Sequence, residues 1–437
     1  MKKTLCVDYD SLTITNKNLG GIQTDATKLN ITGDWAPKLG GISDVLIEKQ
    51  EAYYGNLLHF FKTSHLNIVN LETVIDTKNR DIEKAGSRLI DKPSVLSSLK
   101  SIDTHLVCMA NNHIFDNGKE GLKETIKHLD ESNIDHVGAG LAIEQIYKPF
   151  IYEKFGQKIA IINTAEGEES NEKYNNHCGA SDIESYRVID QIRISKKNGC
   201  FVILVAHAGV EFIPTPPPHI QDLYRTFVDE GADLVVAHHA HVTQGFEIYK
   251  GSPIFYSLGN FGIFRENSRN MEKIGYFLNI DLYKNNINTI KIIPYLISEK
   301  RLSLLSGEKL HEFKLNFKKS SEYILDKDIL NRIWSEFISL RYIILEVNDL
   351  SRFFKYDNDL SKSIQFNFIT QYSRRFMFLP QKVLTSYIYL DYLTEFGCIR
   401  RINSYGKIYL FTKNKFYYLN LLYKNIRSKL SVLKHGK

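Results

Sequence analysis

Phe201-Val202-Ile203-Leu204-Val205-Ala206-His207 and Asp233-Leu234-Val235-Val236-Ala237-His238-His239-Ala240-His241 decide how the chain is read. Each is a run of β-branched and aliphatic residues of strand length that ends on histidine. Between them, Pro218–Asp229 reads as a helix that opens on a helix-compatible proline and runs up to Gly231 as C-cap. The alternation extends in both directions. Strands are expected at Leu29–Thr32, Asn67–Leu71, His105–Met109 and Lys158–Asn163 on one side, and at Ile254–Tyr256, Gly275–Leu282 and Thr289–Ile293 on the other. Pro93–Leu99 and Gly118–Leu129 read as helices; in the second, Leu122, Ile126 and Leu129 share one face and Asn117 is placed to cap it. Strands separated by helices imply an α/β fold with largely parallel central strands.

The polar residues that stand out all follow strand candidates. Asp34 comes after Leu29–Thr32 through Gly33, and Glu72 after Asn67–Leu71. Asn111-Asn112-His113 follows His105–Met109, and the histidines follow the two runs quoted first. In a parallel sheet the carboxyl ends of strands share one edge, where ligands bind. Singly, each has a duller explanation: a turn aspartate, a solvated strand end, a turn amide, a satisfied core imidazole. Jointly they form a set of oxygen and imidazole donors suited to Mn, Fe, Zn or Mg, with no thiolate required. Two carboxylates, an amide and three or four imidazoles could hold two divalent ions, and a histidine left over could act as general acid. His238 is set aside, because its ring should project to the side opposite His239.

Composition bounds the rest. The chain has 437 residues, 43% hydrophobic and 24% charged, which is a core-forming globular profile. No apolar run approaches membrane-spanning length. Met1-Lys2-Lys3-Thr4-Leu5-Cys6-Val7-Asp8 meets a carboxylate before any apolar segment forms, so no signal peptide is expected and the cytoplasm is favoured. Cys6, Cys108, Cys178, Cys200 and Cys398 are odd in number and form no CxxC pair, so they read as reduced thiols. The charge is uneven: residues 341–437 carry 17 Lys and Arg against 6 Asp and Glu, and 20 of the 50 Phe and Tyr. Two units are expected, 1–300 and a mainly helical, basic, aromatic-rich appendage over 301–437. There Val383–Glu395 reads as a helix, and Cys398–Ile402 with Lys407–Phe411 as a hairpin. Such a tail could dock peripherally on a membrane surface or on a partner protein. A helix before a basic hairpin is also similar to winged nucleic-acid modules, but no specific motif accompanies it, so a nucleic-acid partner is not expected.

Gly33-Asp34, Asn70-Leu71-Glu72, Ala110-Asn111-Asn112-His113-x-x-Asp116-x-Gly118, His207-x-Gly209-x-Glu211, Gly231-Ala232-Asp233, His239-x-His241 and Tyr256-Ser257-Leu258-Gly259-Asn260-Phe261 occur in this order. As a set they resemble the capsule-synthesis CapA (poly-γ-glutamate synthesis) family, a branch of the calcineurin-like metallophosphoesterases. The resemblance implies a four-layer α-β-β-α sandwich with a two-metal site. In it Asp34 would bind the first metal with His241, Glu72 would bridge, and Asn112, His207 and His239 would hold the second. His113 would be the general acid. Asp116 and Glu211 would orient these groups, and Asn260 would orient a ligand or contact substrate. The implied activity is metal-dependent hydrolysis of a phosphoester or related bond in cell-envelope polymer synthesis, with an anionic polymer or phosphorylated substrate and capsule-assembly proteins as partners. The alternative is an anionic-polymer binding or assembly factor that hydrolyses nothing.

The chain departs from the pattern in places. The wider superfamily has Asp-x-His at the first ligand, where Ala36 stands here. Glu72 replaces the superfamily's Asp, as in the capsule branch. Ala208 stands where the branch carries Trp, and Ala237 and Ala240 replace Gly and Pro around the histidine pair. The expectation is therefore one or two ions.

Overall fold

The computed structural model describes residues 4–19, 23–80, 82, 87–264, 270–335 and 337. The tail helix and hairpin expected above, and Cys398, lie outside the described residues. Among the described residues, fifteen strands build two large sheets. In chain order they are β1 (Leu5–Asp8), β2 (Thr13–Asn16), β3 (Thr27–Trp35), β4 (Leu66–Leu71), β5 (Leu106–Cys108), β6 (Asp135–Val137), β7 (Phe150–Lys154) and β8 (Gln157–Ala165). Then follow β9 (Phe201–His207), β10 (Leu234–His238), β11 (Phe246–Tyr249), β12 (Ser252–Phe255), β13 (Ile274–Tyr283), β14 (Asn286–Ile297) and β15 (Leu302–Leu304). The longer helices are α1 (Gly118–Glu131), α2 (Tyr186–Lys197), α3 (Pro218–Asp229) and α4 (Gly307–Leu325).

The first sheet runs β1-β2-β14-β13-β3-β4-β5-β6, with β15 beside β14; the second runs β7-β8-β9-β10-β12-β11. Strands β3 to β6 are mutually parallel, as are β8, β9, β10 and β12. Both halves of the expected parallel core are present. Strands β1, β2, β13 and β14 add an antiparallel region whose direction the residue pattern did not reveal. Its main hairpin turns through Lys284 and Asn285, both at positive φ (49° and 56°). That is the geometry that matches strand twist, here without the glycine that normally signals it.

Alternation along the strands sets the layers. In β9, Phe201, Ile203 and Val205 face the other sheet, where Ile31, Ile68 and Leu106 meet them. Val202, Leu204 and Ala206 face outward onto Val188 and Ile192 of α2 and Ile220, Tyr224 and Phe227 of α3. The first sheet's outer face packs under Tyr53, Tyr54, Phe61, Leu99 and Leu122 from the helical segments of residues 43–131. The order is therefore helix, sheet, sheet, helix. The same period of two carries His207 and His238, the last residues of β9 and β10, onto the inter-sheet side.

Three local features differ from the sequence reading. Asn117 stands at the N-cap of α1 without capping it: its Nδ2 donates to Asp76 Oδ2 and the Lys78 carbonyl, and its Oδ1 accepts from Arg80 N. Pro93–Val95 is a 3₁₀ turn that leads into the short helix Leu96–Ser101. Helix α4, beyond the boundary expected at residue 300, packs on the sandwich. Phe313 and Phe317 enter the inter-sheet core, Ser320 Oγ accepts from Gly245 N, and Ser321 Oγ accepts from Phe246 N. Phe317 stacks on Phe246 at 5.6 Å and meets Tyr276 edge-on at 5.3 Å. Phe317→Ala is therefore expected to cost about 3–5 kcal/mol in chemical denaturation. A cost below about 1 kcal/mol would mean that α4 is an accessory to the fold.

The four described cysteines are free thiols. Among the described residues no helix is long and apolar enough to cross a membrane.

Candidate metal centre

The carboxyl ends of β3, β4, β9 and β10, with the turn after β5, deliver polar side chains to one place. Asp34 is the penultimate residue of β3, where the register against β4 breaks between Ile31 and Asp34. Gly33 before it lets the segment 259–261 approach: a methyl group there would fall 1.9 Å from the Gly259 carbonyl oxygen. Asp34 N donates to that oxygen at 3.0 Å, and Phe261 N donates to Asp34 O at 2.8 Å, which seats Asn260 beside the site. Glu72 follows β4, its N–H donating to Trp35 O at 3.0 Å. After β5, Asn111 shapes the turn: its Nδ2 donates to Leu71 O at 2.8 Å and its Oδ1 accepts from His113 N at 3.0 Å. His239 and His241 sit just beyond β10 at φ 87° and 54°, left-handed conformations that cost of order 1–3 kcal/mol each and collect at functional sites.

Two donor groups share Glu72. One joins Glu72, His207 and His239; the other joins Asp34, Glu72 and His241, with the donor atoms of each group within 4.8 Å of one another. His207 Nε2 lies 3.0 Å from Asn112 Oδ1, 3.1 Å from His239 Nδ1 and 3.4 Å from Glu72 Oε1. His241 stands 3.4 Å from Asp34 Oδ2 through Nδ1 and 3.6 Å from Glu72 Oε1 through Nε2. Ligand atoms about 2.0–2.2 Å from a shared ion lie roughly this far apart. All of these residues are buried.

The electrostatics fit a divalent cation. Glu72 is fully buried, and among the described residues neither of its carboxylate oxygens accepts a hydrogen bond. A buried carboxylate that accepts no hydrogen bond is costly, and burial pushes the Glu72 carboxyl well above the usual range. Burial would lower His241, but the neighbouring Glu72 and Asp34 carboxylates outweigh it and raise the ring to about 10. His207 goes the other way, held well below the ordinary imidazole value by burial and then by His239. Burial would raise Asp34, but the adjoining His238 and His241 rings keep it well below the usual carboxylate range. The neutral His207 ring and the ionised Asp34 are ready for a cation, whereas the raised His241 ring and Glu72 carboxyl would each give up a proton to one.

Several partners orient these groups. His113 Nδ1 donates to Asp116 Oδ2 at 2.7 Å, and that oxygen also accepts Leu89 N at 2.6 Å. His113 keeps 12% side-chain exposure, so its ring is reached by solvent. His241 Nδ1 lies 2.9 Å from Asn260 Oδ1, while Asn260 Nδ2 donates to Glu272 O. Asn260 is thus engaged inside the protein with a candidate ligand. Glu211 is exposed; its charge acts on Glu72 and His241, and the next residue, Phe212, donates its N–H to Ala240 O at 2.7 Å.

The sequence reading missed three residues. Asn70 Nδ2 contacts both Asp34 Oδ1 (2.8 Å) and His207 Nδ1 (3.2 Å), although Asn70 had entered only as part of a motif. Glu166 directly follows β8 and accepts Gly209 N at 2.9 Å. Burial would raise Glu166, but His219 and that N–H hold it below the usual value. Its position at a strand end was a usable signal. His238, set aside above, places Nδ1 3.3 Å from Asp34 Oδ1. Its ring does project away from His239, but into the inter-sheet space where Asp34 lies. Ala36 is buried against Leu89 and Ile263, so no donor arises there.

Fold and site define the class: a four-layer α-β-β-α sandwich with two candidate donor groups joined by one carboxylate. A family model for the bacterial capsule synthesis protein PGA_cap matches residues 28–266, and the chain belongs to that family. The Bacillus anthracis capsule biosynthesis protein CapA is 29% identical over 230 residues, covering 51% of this chain and 55% of its own. The PGA biosynthesis protein CapA of Bacillus subtilis (strain 168) is 32% identical over 203 residues, covering 46% and 53%. The chain thus spans about half the length of these curated relatives. Among solved structures, a putative 5'-nucleotidase from Staphylococcus aureus is 12% identical with a TM-score of 0.41, covering 67% of this chain and 58% of that one. No activity follows from so distant a likeness.

Proposed function

We propose that the chain is a divalent-metal-dependent hydrolase of a phosphoester, or of a chemically related bond, in the synthesis of an anionic cell-envelope polymer. The observation that carries this reading is Glu72: a fully buried carboxylate without a hydrogen bond, shared by two donor groups that include Asp34, His207, His239 and His241. In this reading Asp34, Glu72 and His241 hold a first cation, and Glu72, Asn112, His207 and His239 hold a second. Bound cations of this kind polarise a phosphoryl oxygen and make a water nucleophilic near neutral pH. The protein's own part is to bind and orient. Asn260 holds the His241 ring, and Asn70 ties Asp34 to His207. His113, its ring oriented by Asp116, would donate a proton to the leaving oxygen. The polymer context comes from the relatives, which are named for capsule and PGA biosynthesis. In that context, capsule-assembly proteins are the proposed partners.

Purified protein is expected to hydrolyse an aryl phosphate with added Mn²⁺ and to lose that activity on chelation. His239→Ala should reduce the rate by ~10² or more, since loss of an orienting partner alone costs 10–100-fold. Equal rates in wild type and variant would refute the assignment. A protein that takes up no transition metal and still binds an anionic polymer would be a non-hydrolytic assembly factor.

A further inference from the structure

His238 is a buried imidazole that the proposed centre leaves unused. It ends β10 beside His207, its partner in the parallel register, and among the described residues its ring nitrogens have no polar partner other than the Asp34 carboxylate. Burial alone would favour an apolar side chain at such a position. What it does touch is Asp34 Oδ1, at 3.3 Å. The same oxygen accepts from Asn70 Nδ2 at 2.8 Å. The other oxygen, Oδ2, accepts from His239 N at 3.3 Å and stands 3.4 Å from His241 Nδ1. Asp34 Oδ1 thus meets His238 and Asn70, while Oδ2 meets the His239 N–H and His241.

We propose that His238 is a positioning residue for the first cation site, holding Asp34 Oδ1 from beneath so that Oδ2 turns towards His241 and the cation. The inference rests on the metal-centre reading given above. It accounts for how that site dispenses with a side-chain donor at Ala36, which lies in an apolar pocket with Leu89 and Ile263. A carboxylate with one neighbour fewer on its ligand side depends more on the groups that hold its far oxygen.

The test is calorimetric titration of the metal-free full-length protein with Mn²⁺, with His241→Ala marking the first site and His239→Ala the second. His238→Phe is expected to weaken by 10–100-fold the site that His241→Ala weakens, and to leave the other unchanged. Its metal-free melting temperature should not fall. In His238→Asn the amide nitrogen takes the place of the ring Nδ1, and affinity should return to within a few-fold of wild type. Should the phenylalanine variant not fold, His238→Ala replaces it, again judged against asparagine. Wild-type Mn²⁺ affinity in the apolar variant overturns the proposal. So does a uniform loss at both sites that asparagine does not rescue, which would mark a packing role. A wild-type protein that binds no Mn²⁺ overturns the metal centre itself, so the two failures are distinguishable.

Discussion

Glu72→Gln is expected to strip the protein of bound transition metal and to lower phosphoester hydrolysis by on the order of 10³-fold, more than any change confined to one donor group. The reason is topological. His239 belongs to one group and His241 to the other, whereas Glu72 belongs to both. Glutamine keeps the volume, so packing survives. It also removes a buried ionisable carboxyl whose oxygens receive no hydrogen bond. The Glu72 carboxyl is held well above its ordinary value, so folding favours its uncharged form. The metal-free variant should consequently melt above the metal-free wild type, while added Mn²⁺ should raise only the wild type. Elemental analysis and paired melts with and without chelator decide this. A variant that retains a full complement of metal would show that Glu72 is not the shared ligand.

Metal uptake is expected to release protons and to tighten steeply with pH. In the metal-free protein the Glu72 and Asp34 carboxylates raise His241 to about 10, against an ordinary value of 6.5. The sign follows from that elevation. The charged ring contributes stability in full below about 6.5, and the contribution is lost as pH rises through about 10. A coordinating imidazole must be neutral, so at pH 7 a cation has to displace that proton. Mn²⁺ affinity should therefore rise about tenfold per pH unit for each proton released, from pH 6.5 up towards 10. Calorimetry in buffers of differing ionisation enthalpy counts the protons directly. His241→Ala should remove one of them. An affinity independent of pH between 6.5 and 9 would contradict the arrangement.

Much of the site was legible because its chemistry is local to strand ends. Asp34, Glu72, His207, His239 and His241 each follow a short apolar run, and a parallel sheet brings such ends to one edge whatever the loops between them do. The expected strands at Phe201–Ala206 and Asp233–Ala237 and the helix Pro218–Asp229 are present within one or two residues at each end. The antiparallel region was less legible. Nothing in Gly275–Leu282 or Thr289–Ile293 states which strand they join, and a turn made by Lys284 and Asn285 carries little of the usual signal. The change from alternating strands and helices to longer helical stretches after about residue 300 places helix α4 in an appendage, yet Phe313 and Phe317 fill the inter-sheet core.

His238 shows where local reasoning stops. Alternation along β10 predicts that its ring leaves the side of His239, and it does. Alternation cannot say what waits on the other side, since that depends on how a second sheet packs across the gap. Likewise Asn260, more than two hundred residues from Asp34 in sequence, is seated beside Asp34 and His241 because Gly33 lets two backbones touch. By itself the sequence determined the kind of fold, the donor types and the strand ends that carry them, because periodicity and side-chain chemistry act over a few residues. Only the tertiary structure decided which oxygens and nitrogens face one another, because those contacts are set by the packing of one sheet against the other.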